Sequence, residues 1–342
     1  MLRRLALLAL CAGALASCDE TTSREIRVVG SSTVYPFTTA VAEAFVNKGG
    51  GRKAPVIESI GTGAGIKRFC DGVGSQFPDI ANASRRMKRS EFDLCQQNGV
   101  GEILEIQIGL DGVALAESNK GPKLALTRKD IYLALAANPM GQPNTAKTWK
   151  DVNPALPPVP ISVMGPPSTS GTRDAFAELI LEPGCLEAVP EGKAMKNSGD
   201  PAKFENLCRR IRDDGPYVDK GENDNLIVQA FRKSQCARHL RLFLSRGDID
   251  RLHGVPIGGV APTYETIAKG SYPGARPLYL YVKKRHLRAV PGLQEFLELY
   301  ARMWAQDGEL AKRGLIAMSK TQRDNASEVI RLGIALDPSG LQ

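Results

Sequence analysis

Four short polar turns in this sequence combine small residues, hydroxyl groups and arginine in a way that suits the binding of an anion. They are Gly-Ser-Ser-Thr at 30–33, Gly-Thr-Gly-Ala-Gly at 61–65, Ser-Arg-Arg at 84–86 and Ser-Thr-Ser-Gly-Thr-Arg at 168–173. Each turn precedes a predicted helix, where unpaired N–H groups and the helix dipole favour negative charge. Hydroxyls add donors, and arginine adds a planar fork that matches phosphate-like oxygens. Plain N-capping is the better explanation of any single turn, but four in one chain favour an anion site.

The turns lie within a repeated order of strand, turn and helix. The strands predicted before them are residues 25–29, 55–60, 78–83 and 161–164, and the helices predicted after them are 37–46, one ending at residue 70, 90–97 and 174–181. Further strands are predicted over 103–115 and 277–282, and further helices over 131–137, 293–304 and 309–316. Because the carboxyl ends of parallel strands meet at one edge of a sheet, the turns are expected to line a crevice. The predicted fold class is α/β.

The composition indicates the class of protein but does not identify its ligand. The chain has 342 residues, 42% of them hydrophobic and 24% charged, with a net charge of +8, which is typical of a soluble globular protein of about two domains. A basic balance suits nucleic acid, an anionic membrane or a small anion. The sequence contains no nucleotide P-loop and no C-x-x-C pair, and it has three histidines. It has no basic motif interleaved with aromatic residues. We therefore expect no metal, no cofactor and no nucleic-acid partner.

The first residues carry an export signal. Arg3 and Arg4 precede an apolar run over 5–15, which is too short to span a membrane as a helix. The order Leu-Ala-Ser-Cys at 15–18 resembles the lipobox of bacterial lipoproteins. It predicts a signal peptide over 1–17, a lipidated Cys18, and a tether over 18–25 that holds the protein to a membrane in the periplasm. The alternative is an ordinary signal peptide cut near Ser17.

The remaining cysteines fit an exported chain. Cys70 and Cys95 are 25 residues apart, and Cys185 and Cys208 are 23 residues apart. In an oxidising compartment each pair can close a local loop as a disulfide. Cys236 is left without a partner. Five reduced, buried thiols would be the alternative in a cytosolic protein, which the export signal disfavours.

Six longer motifs follow one another along the mature chain. They are G-S-S-T-V-Y-P-F, G-T-G-A-G-I-K-R-F-C, D-I-A-N-A-S-R-R-M-K, S-G-T-R-D-A-F, A-P-T-Y-E-T-I and R-P-L-Y-L-Y-V-K-K. As a set, over about residues 26–316, they resemble the periplasmic phosphate-binding proteins of high-affinity phosphate ABC transporters, which belong to the type II periplasmic binding protein superfamily. The resemblance implies two lobes, each a mostly parallel sheet flanked by helices, with the ligand in the interlobe cleft.

The resemblance also implies a domain division and a function. Lobe one is expected over 26–110 and 283–342, and lobe two over 111–282. The chain is expected to act as a monomer that captures inorganic phosphate and delivers it to the permease subunits of an ABC transporter, without catalysis. The alternatives are a receptor for another tetrahedral oxyanion such as sulfate, or a phosphate-ester hydrolase. A hydrolase needs a nucleophile with a base or paired metal ligands, and no histidine lies near Ser32 or Ser170 in the sequence.

By the same resemblance, the phosphate-binding residues are assigned turn by turn. The expected set is Ser32, Thr33 and the Val34 amide in the first turn, Thr62 or Gly63 in the second, Arg85 in the third, and Ser170, Gly171, Thr172 and the adjacent Arg173 in the fourth.

The sequence departs from the family at two charged positions of this site. Some members carry, where this chain has Arg85, an aspartate that accepts the proton of hydrogen phosphate and so excludes sulfate. They also carry an arginine shortly before Ser-Gly-Thr, where this chain has Gly-Pro-Pro at 165–167. Arg85 and Arg173 are expected to supply the positive charge instead. The proton acceptor is unassigned, with Asp79 and Asp174 as candidates.

The third departure is the segment 232–249, where family members have an uncharged strand that resembles N-P-N-A-L-G-I-F-G-Y-S-F. One choice of codons for that strand, translated from its third base, gives S-Q-C-A-R-H-L-R-L-F-L, which is the sequence at 234–244. We therefore predict a frameshift over 232–249, which would explain Cys236. A basic stretch in a strand position cannot pack in a core without partners, so we expect poor packing there. The alternative is a genuine amphipathic insertion.

Overall fold

Two five-stranded sheets organise the chain. The computed structural model describes residues 24–49, 52–168, 170–197, 200–219, 240–243 and 252–341. The first sheet has the order β2-β1-β3-β10-β4 and the second the order β7-β6-β8-β5-β9. The strands are β1 (Arg27–Gly30), β2 (Val56–Ser59), β3 (Ile80–Ala83), β4 (Ile103–Gly112), β5 (Ala114–Ser118), β6 (Val163–Gly165), β7 (Tyr217–Asp219), β8 (Leu240–Phe243), β9 (Leu252–Gly254) and β10 (Ala275–Lys283).

Both sheets are mostly parallel among the strands that the structure describes. In the first sheet β10 pairs antiparallel with β3 and β4, while β1, β2 and β3 pair in parallel. In the second sheet β5 runs against β8 and β9, while β6 pairs in parallel with β7 and β8. One strand therefore opposes the other four in each sheet. The α/β fold of two lobes with mostly parallel sheets is confirmed.

Helices flank these sheets and carry the predicted turns at their N-termini. They are α1 (Tyr35–Asn47), α2 (Thr62–Cys70), α3 (Arg89–Gln97), α4 (Arg128–Leu135), α5 (Trp149–Val152), α6 (Gly171–Phe176), α7 (Glu182–Ala188), α8 (Gly192–Asn197), α9 (Pro201–Cys208), α10 (Tyr264–Ala268), α11 (His286–Ala289), α12 (Leu293–Met303), α13 (Glu309–Lys312) and α14 (Lys320–Leu332). A π-helical turn, Ala177–Leu181, joins α6 to α7, and 3₁₀ turns lie at Pro139–Gly141 and Pro338–Gly340. No helix among the described residues is long and apolar enough to cross a membrane.

The chain crosses between the lobes at two adjacent points. Val113 alone separates β4 of the first sheet from β5 of the second, and its amide donates to the carbonyl of Gly274, 2.8 Å away. A Cβ at Gly274 would lie 2.3 Å from the Val113 carbonyl oxygen, so the contact requires glycine. The return crossing was expected after residue 282. It lies before Ala275, because β10 runs its whole length in the first sheet.

Each lobe has its own apolar core. In lobe one, the apolar faces of α1 and α12 cover the first sheet, with Phe45 edge-on to Phe296 at 5.6 Å between ring centroids. In lobe two, Trp149 and Phe176 are buried against the second sheet. Separate cores joined by two crossing segments are the construction of a cleft that can open and close.

Both predicted disulfides are present. Cys70 at the end of α2 bonds to Cys95 in α3, and Cys185 in α7 bonds to Cys208 in α9. The first therefore ties together two helices of lobe one that begin beside the second and third turns, and the second staples two helices of lobe two.

Most elements lie within two or three residues of their predicted bounds, and the exceptions have local causes. The strand expected over 103–115 is divided at Val113, where the chain changes sheets. The helix expected over 309–316 ends at Lys312, because residues 315–317 turn to pair with β4 through the Leu110–Ile316 bridge. The helix expected over 174–181 begins earlier, at Gly171, and continues through the π-helical turn.

Several predictions fall wholly or partly outside the described residues. These are the signal peptide over 1–17, the lipidated Cys18, most of the tether over 18–25, Cys236, and the packing of most of 232–249. Within that last segment, the backbone of Leu240–Phe243 forms β8, between β6 and β5 in the second sheet. A strand therefore occupies this position, as the resemblance implies for an uncharged segment.

Candidate functional site

The first turn sits at the carboxyl end of β1, against the end of β3. The Ser31 amide donates to the carbonyl of Asn82 at 2.9 Å, and Val34 ends the turn directly before α1. Ser32 and Thr33 are partly exposed, whereas Val34 is fully buried. The Val34 amide, expected to face the anion, instead approaches the Ser31 hydroxyl at 3.4 Å. The turn therefore presents Ser32 and Thr33 at its open side.

The second and third turns are joined by hydroxyl groups. The hydroxyls of Thr62 and Ser84 lie 2.9 Å apart, and the Ser84 amide donates to the Thr62 hydroxyl at 3.1 Å. The helix that follows the second turn approaches β1 closely, since a Cβ at Gly65 would lie 2.3 Å from the Gly30 Cα. Gly63 faces the third turn, with its ideal Cβ position 3.9 Å from Arg85 Nη2. The three lobe-one turns therefore form one continuous polar edge.

Arg85 lies on this edge but is held by a carboxylate of its own lobe. Its guanidinium donates to both oxygens of Glu91, at 2.6 and 2.9 Å. This bond raises the pKa of Arg85, to which Glu178 of lobe two also contributes. Burial works to raise the pKa of Glu91, but the bonds from Arg85 and the Lys88 amide outweigh it, and the pKa is lowered. Arg85 is thus a cation whose guanidinium is fixed by a carboxylate of its own lobe.

The fourth turn begins α6 in lobe two. Ser170 is its N-cap, buried to 3% exposure, and its hydroxyl accepts from the Thr172 amide at 3.2 Å. Gly171 is the first residue of the helix. The guanidinium of Arg173 is engaged by Asp219 at 2.9 Å and lies 4.4 Å from the ring centre of Tyr217. The N-terminus of α6 is thus capped by a serine side chain, whereas α1 and α2 begin without a side-chain cap.

A side chain cannot be accommodated just before this turn. A Cβ at Gly165 would lie 2.4 Å from the hydroxyl of Tyr217, which donates to the Pro166 carbonyl at 2.7 Å. Burial raises the pKa of that tyrosine to about 12, so it stays neutral. A side chain at Gly165 would therefore require Tyr217 to move, and the positive charge of the site comes from other positions.

Sequence reasoning missed a buried arginine at the hinge. Arg276, 6% exposed, donates from Nη2 to the Thr33 hydroxyl at 2.8 Å and from Nη1 to Glu178 of lobe two. Its Nε faces Asp111, its partner across the β10–β4 pairing, at 3.4 Å. Burial raises the pKa of Asp111, and Arg276 opposes this rise. The available signal was a pair of opposite charges, Asp111 and Arg276, in two strands that are buried along most of their length.

The two candidate proton acceptors lie in different places. Asp79 is fully buried before β3, at the opposite end of the strand from the turns, and bonds to His286 at 2.7 Å and Arg24 at 2.8 Å. These bonds give Asp79 a structural role in lobe one. Because it lies away from the turns, it is not the residue that accepts the proton of hydrogen phosphate. Asp174 lies on α6 near the cleft. Burial, followed by the negative charge of Glu178, raises its pKa.

The cleft thus brings together cations and anions from both lobes and the hinge. Arg85, Arg276 and the hydroxyl of Thr33 lie on one side, and Asp174 and Glu178 lie on the other. The described part of the chain holds no cluster of three or more His, Cys, Asp or Glu side chains that suits a metal ion. Hydroxyls, helix N-termini and guanidinium groups at one cleft can bind a tetrahedral oxyanion without a metal. Two lobes, a double crossing and an anion-suited cleft define a periplasmic-type binding protein.

Comparison with known proteins gives the family. A model described as a PBP superfamily domain matches residues 16–302, and the chain belongs to this superfamily. It is 31% identical over 300 residues to Protein SphX of Synechocystis sp., covering 84% of this chain and 77% of that one. It is 28% identical over 308 residues to the phosphate-binding protein PstS of Staphylococcus saprophyticus, covering 86% and 81% of the two chains.

Among solved structures, one described as a possible phosphate binding protein from Planctomyces limnophilus superposes with a TM-score of 0.71 at 25% identity. The superposition covers 91% of this chain and 99% of that one. The resemblance found in the sequence motifs is confirmed.

Proposed function

We propose that this protein is a receptor for inorganic phosphate that delivers its ligand to the permease of an ABC transporter. The observation that carries the proposal is the approach of the hinge arginine, Arg276, to the first turn at Thr33 within the interlobe cleft. A buried guanidinium beside hydroxyls and helix N-termini suits a dehydrated, doubly charged oxyanion. The name of the relative from Staphylococcus saprophyticus, phosphate-binding protein PstS, and its coverage of the chain support phosphate as that anion.

The mechanism proposed is closure of the lobes over the anion. Ser32, Thr33 and Thr62 provide donors from lobe one, and Ser170, Gly171 and Thr172 provide them from lobe two. A ligand that contacts both lobes favours the closed state by its differential affinity for it. Such a receptor works as a monomer, and its function is binding and not catalysis. A phosphatase assay on the purified protein checks the latter, and turnover of a phosphate ester would contradict it.

Titration calorimetry with inorganic phosphate and with sulfate tests the ligand. We expect one phosphate per chain. Arg85→Ala should weaken binding, since a hydrogen bond to a charged group contributes ~1.5–3 kcal/mol. The control is Arg89→Ala, which removes an exposed arginine paired with Asp93 on α3. Absence of phosphate binding contradicts the proposal. Sulfate binding as tight as phosphate binding supports the wider oxyanion class instead, and unchanged affinity in Arg85→Ala removes that residue from the site.

We also propose that the protein is held at a membrane on the periplasmic side by a lipid on Cys18. The support is the Leu-Ala-Ser-Cys order after a short apolar segment. Mass spectrometry of the mature N-terminus should find a diacylglyceryl cysteine there. An unmodified N-terminus that begins at another residue contradicts this.

A further inference from the structure

The ion pair between Arg276 and Glu178 links the hinge to the second lobe. Arg276 uses one terminal nitrogen for the Thr33 hydroxyl in the first turn and the other for the Glu178 carboxylate. The terminal nitrogens of the guanidinium are thus already bonded within the protein, one of them to the Glu178 carboxylate. The third nitrogen, Nε, faces the carboxylate of Asp111 on the adjacent strand, β4.

An irregular helix brings Glu178 to this position. It lies in the π-helical turn Ala177–Leu181, which follows α6 and therefore the fourth turn. A π-helical turn changes the direction of the side chains that follow it, and such turns are frequent at functional sites. The Glu178 side chain is 41% exposed, whereas that of Arg276 is 7% exposed. The carboxylate can therefore rotate into solvent while the guanidinium stays in place.

We propose that Arg276 is the cation to which the oxyanion binds and that Glu178 is an internal competitor that occupies it when no ligand is present. The inference rests on the phosphate-receptor function proposed above. An oxyanion at Arg276 and Thr33 would meet the Glu178 carboxylate at close range, where two negative groups repel strongly because little water separates them. Binding therefore exchanges the carboxylate for the ligand. Asp111 stays on the hinge side, where it orients the guanidinium. In this way Glu178 sets the affinity of the receptor without contacting the bound anion.

Phosphate titration calorimetry on the full chain at pH 7.5 tests the inference. Glu178→Gln should bind phosphate at least about tenfold more tightly, because a neutral amide competes poorly for a guanidinium. Glu187→Gln is the matched control. Its carboxylate is 44% exposed and pairs with Arg128 inside lobe two, and its affinity should equal that of the wild type. Arg276→Lys keeps the charge without the fork and should bind more weakly than the wild type.

The outcomes separate this inference from the proposed function. Phosphate binding by the wild type, with unchanged or weaker binding by Glu178→Gln, overturns the inference alone. Weaker phosphate binding together with stronger sulfate binding would make Glu178 a contact of the bound ligand, which also overturns it. No phosphate binding to the wild type overturns the proposed function.

Discussion

The buried amine of Lys283, at the end of β10, makes the free energy of unfolding of this protein increase with pH in the alkaline range. The side chain is fully buried, its amine donates to the carbonyl of Gly72, and it lies 4.8 Å from the ring centre of Phe69. Burial lowers the pKa of this amine to about 8 from an ordinary 10.5, although Asp79 opposes the change. The folded chain therefore binds fewer protons than the unfolded chain between those pH values. Its free energy of unfolding must rise with pH across that window.

The size of the effect follows from the difference in pKa. A lowering of about 2.5 units corresponds to roughly 3 kcal/mol between low and high pH, at about 1.36 kcal/mol per unit. Between pH 7.5 and 9.5, Lys283 alone should raise the free energy of unfolding by about 2 kcal/mol. Burial raises the pKa of Tyr300. The folded state then loses stability above pH 10, so the measurement ends at 9.5.

Urea unfolding of the wild type and Lys283→Met at several pH values between 7.5 and 9.5 measures this rise. The free energy of unfolding of the wild type, minus that of Lys283→Met, should become more positive as the pH rises. Lys284→Met removes the neighbouring amine, which is 36% exposed and pairs with Glu102. This control should keep the wild-type slope. Parallel profiles for the wild type and Lys283→Met would refute the reasoning, since the buried amine would then titrate as it does in the unfolded chain.

Three further predictions concern the packing of α2, the first disulfide and the reading frame of 232–249. Gly65→Ala should lower the free energy of unfolding by about 2 kcal/mol in urea, because the new methyl group would clash with the backbone of β1. The control Gly63→Ala, whose new methyl group would have its nearest neighbour 3.9 Å away, should cost less. Equal costs for the two variants would contradict the clash. Replacing Cys70 and Cys95 by serine should cost about 3.5 kcal/mol, the entropy of a loop of 25 residues; calorimetric melting that is unchanged under oxidising conditions would contradict this. Resequencing the coding DNA for 232–249 should reveal a shifted reading frame, and an intact frame would establish the segment as genuine.

The parts of the site that sequence predicts are those with local signals. Gly61 and Ser170 each mark a turn directly before the helix that follows, Gly61 through its backbone freedom and Ser170 through its capping hydroxyl. Thr127, the N-cap of α4, carries a signal of the same kind. Such signals are contained in a few adjacent residues, so one sequence is enough to find them.

The charges of the site could not be predicted in the same way. Arg276 and Glu178 are 98 residues apart, and Arg276 and Asp111 are 165 residues apart. The first pair depends on how the second lobe meets the hinge and the second on how β10 pairs with β4, and local patterns encode neither. Arg85 was identified as a cation of the site, but its bond to Glu91 depends on the capping of α3. The same limit explains why Asp79 was a candidate acceptor: its burial against His286 is tertiary.

The double crossing at Val113 and Gly274 has a mechanical consequence. Since the two connecting segments are hydrogen-bonded to each other, they act as one pivot for the rotation of one lobe against the other. When the cleft opens, each residue is displaced in proportion to its distance from that pivot. Arg276 is two residues from Gly274, so it sits at the short end of the lever. The donors of the fourth turn belong to lobe two, which moves about this pivot. An incoming anion would therefore meet nearly the same arginine in the open and the closed receptor, and the donors of lobe two would arrive afterwards.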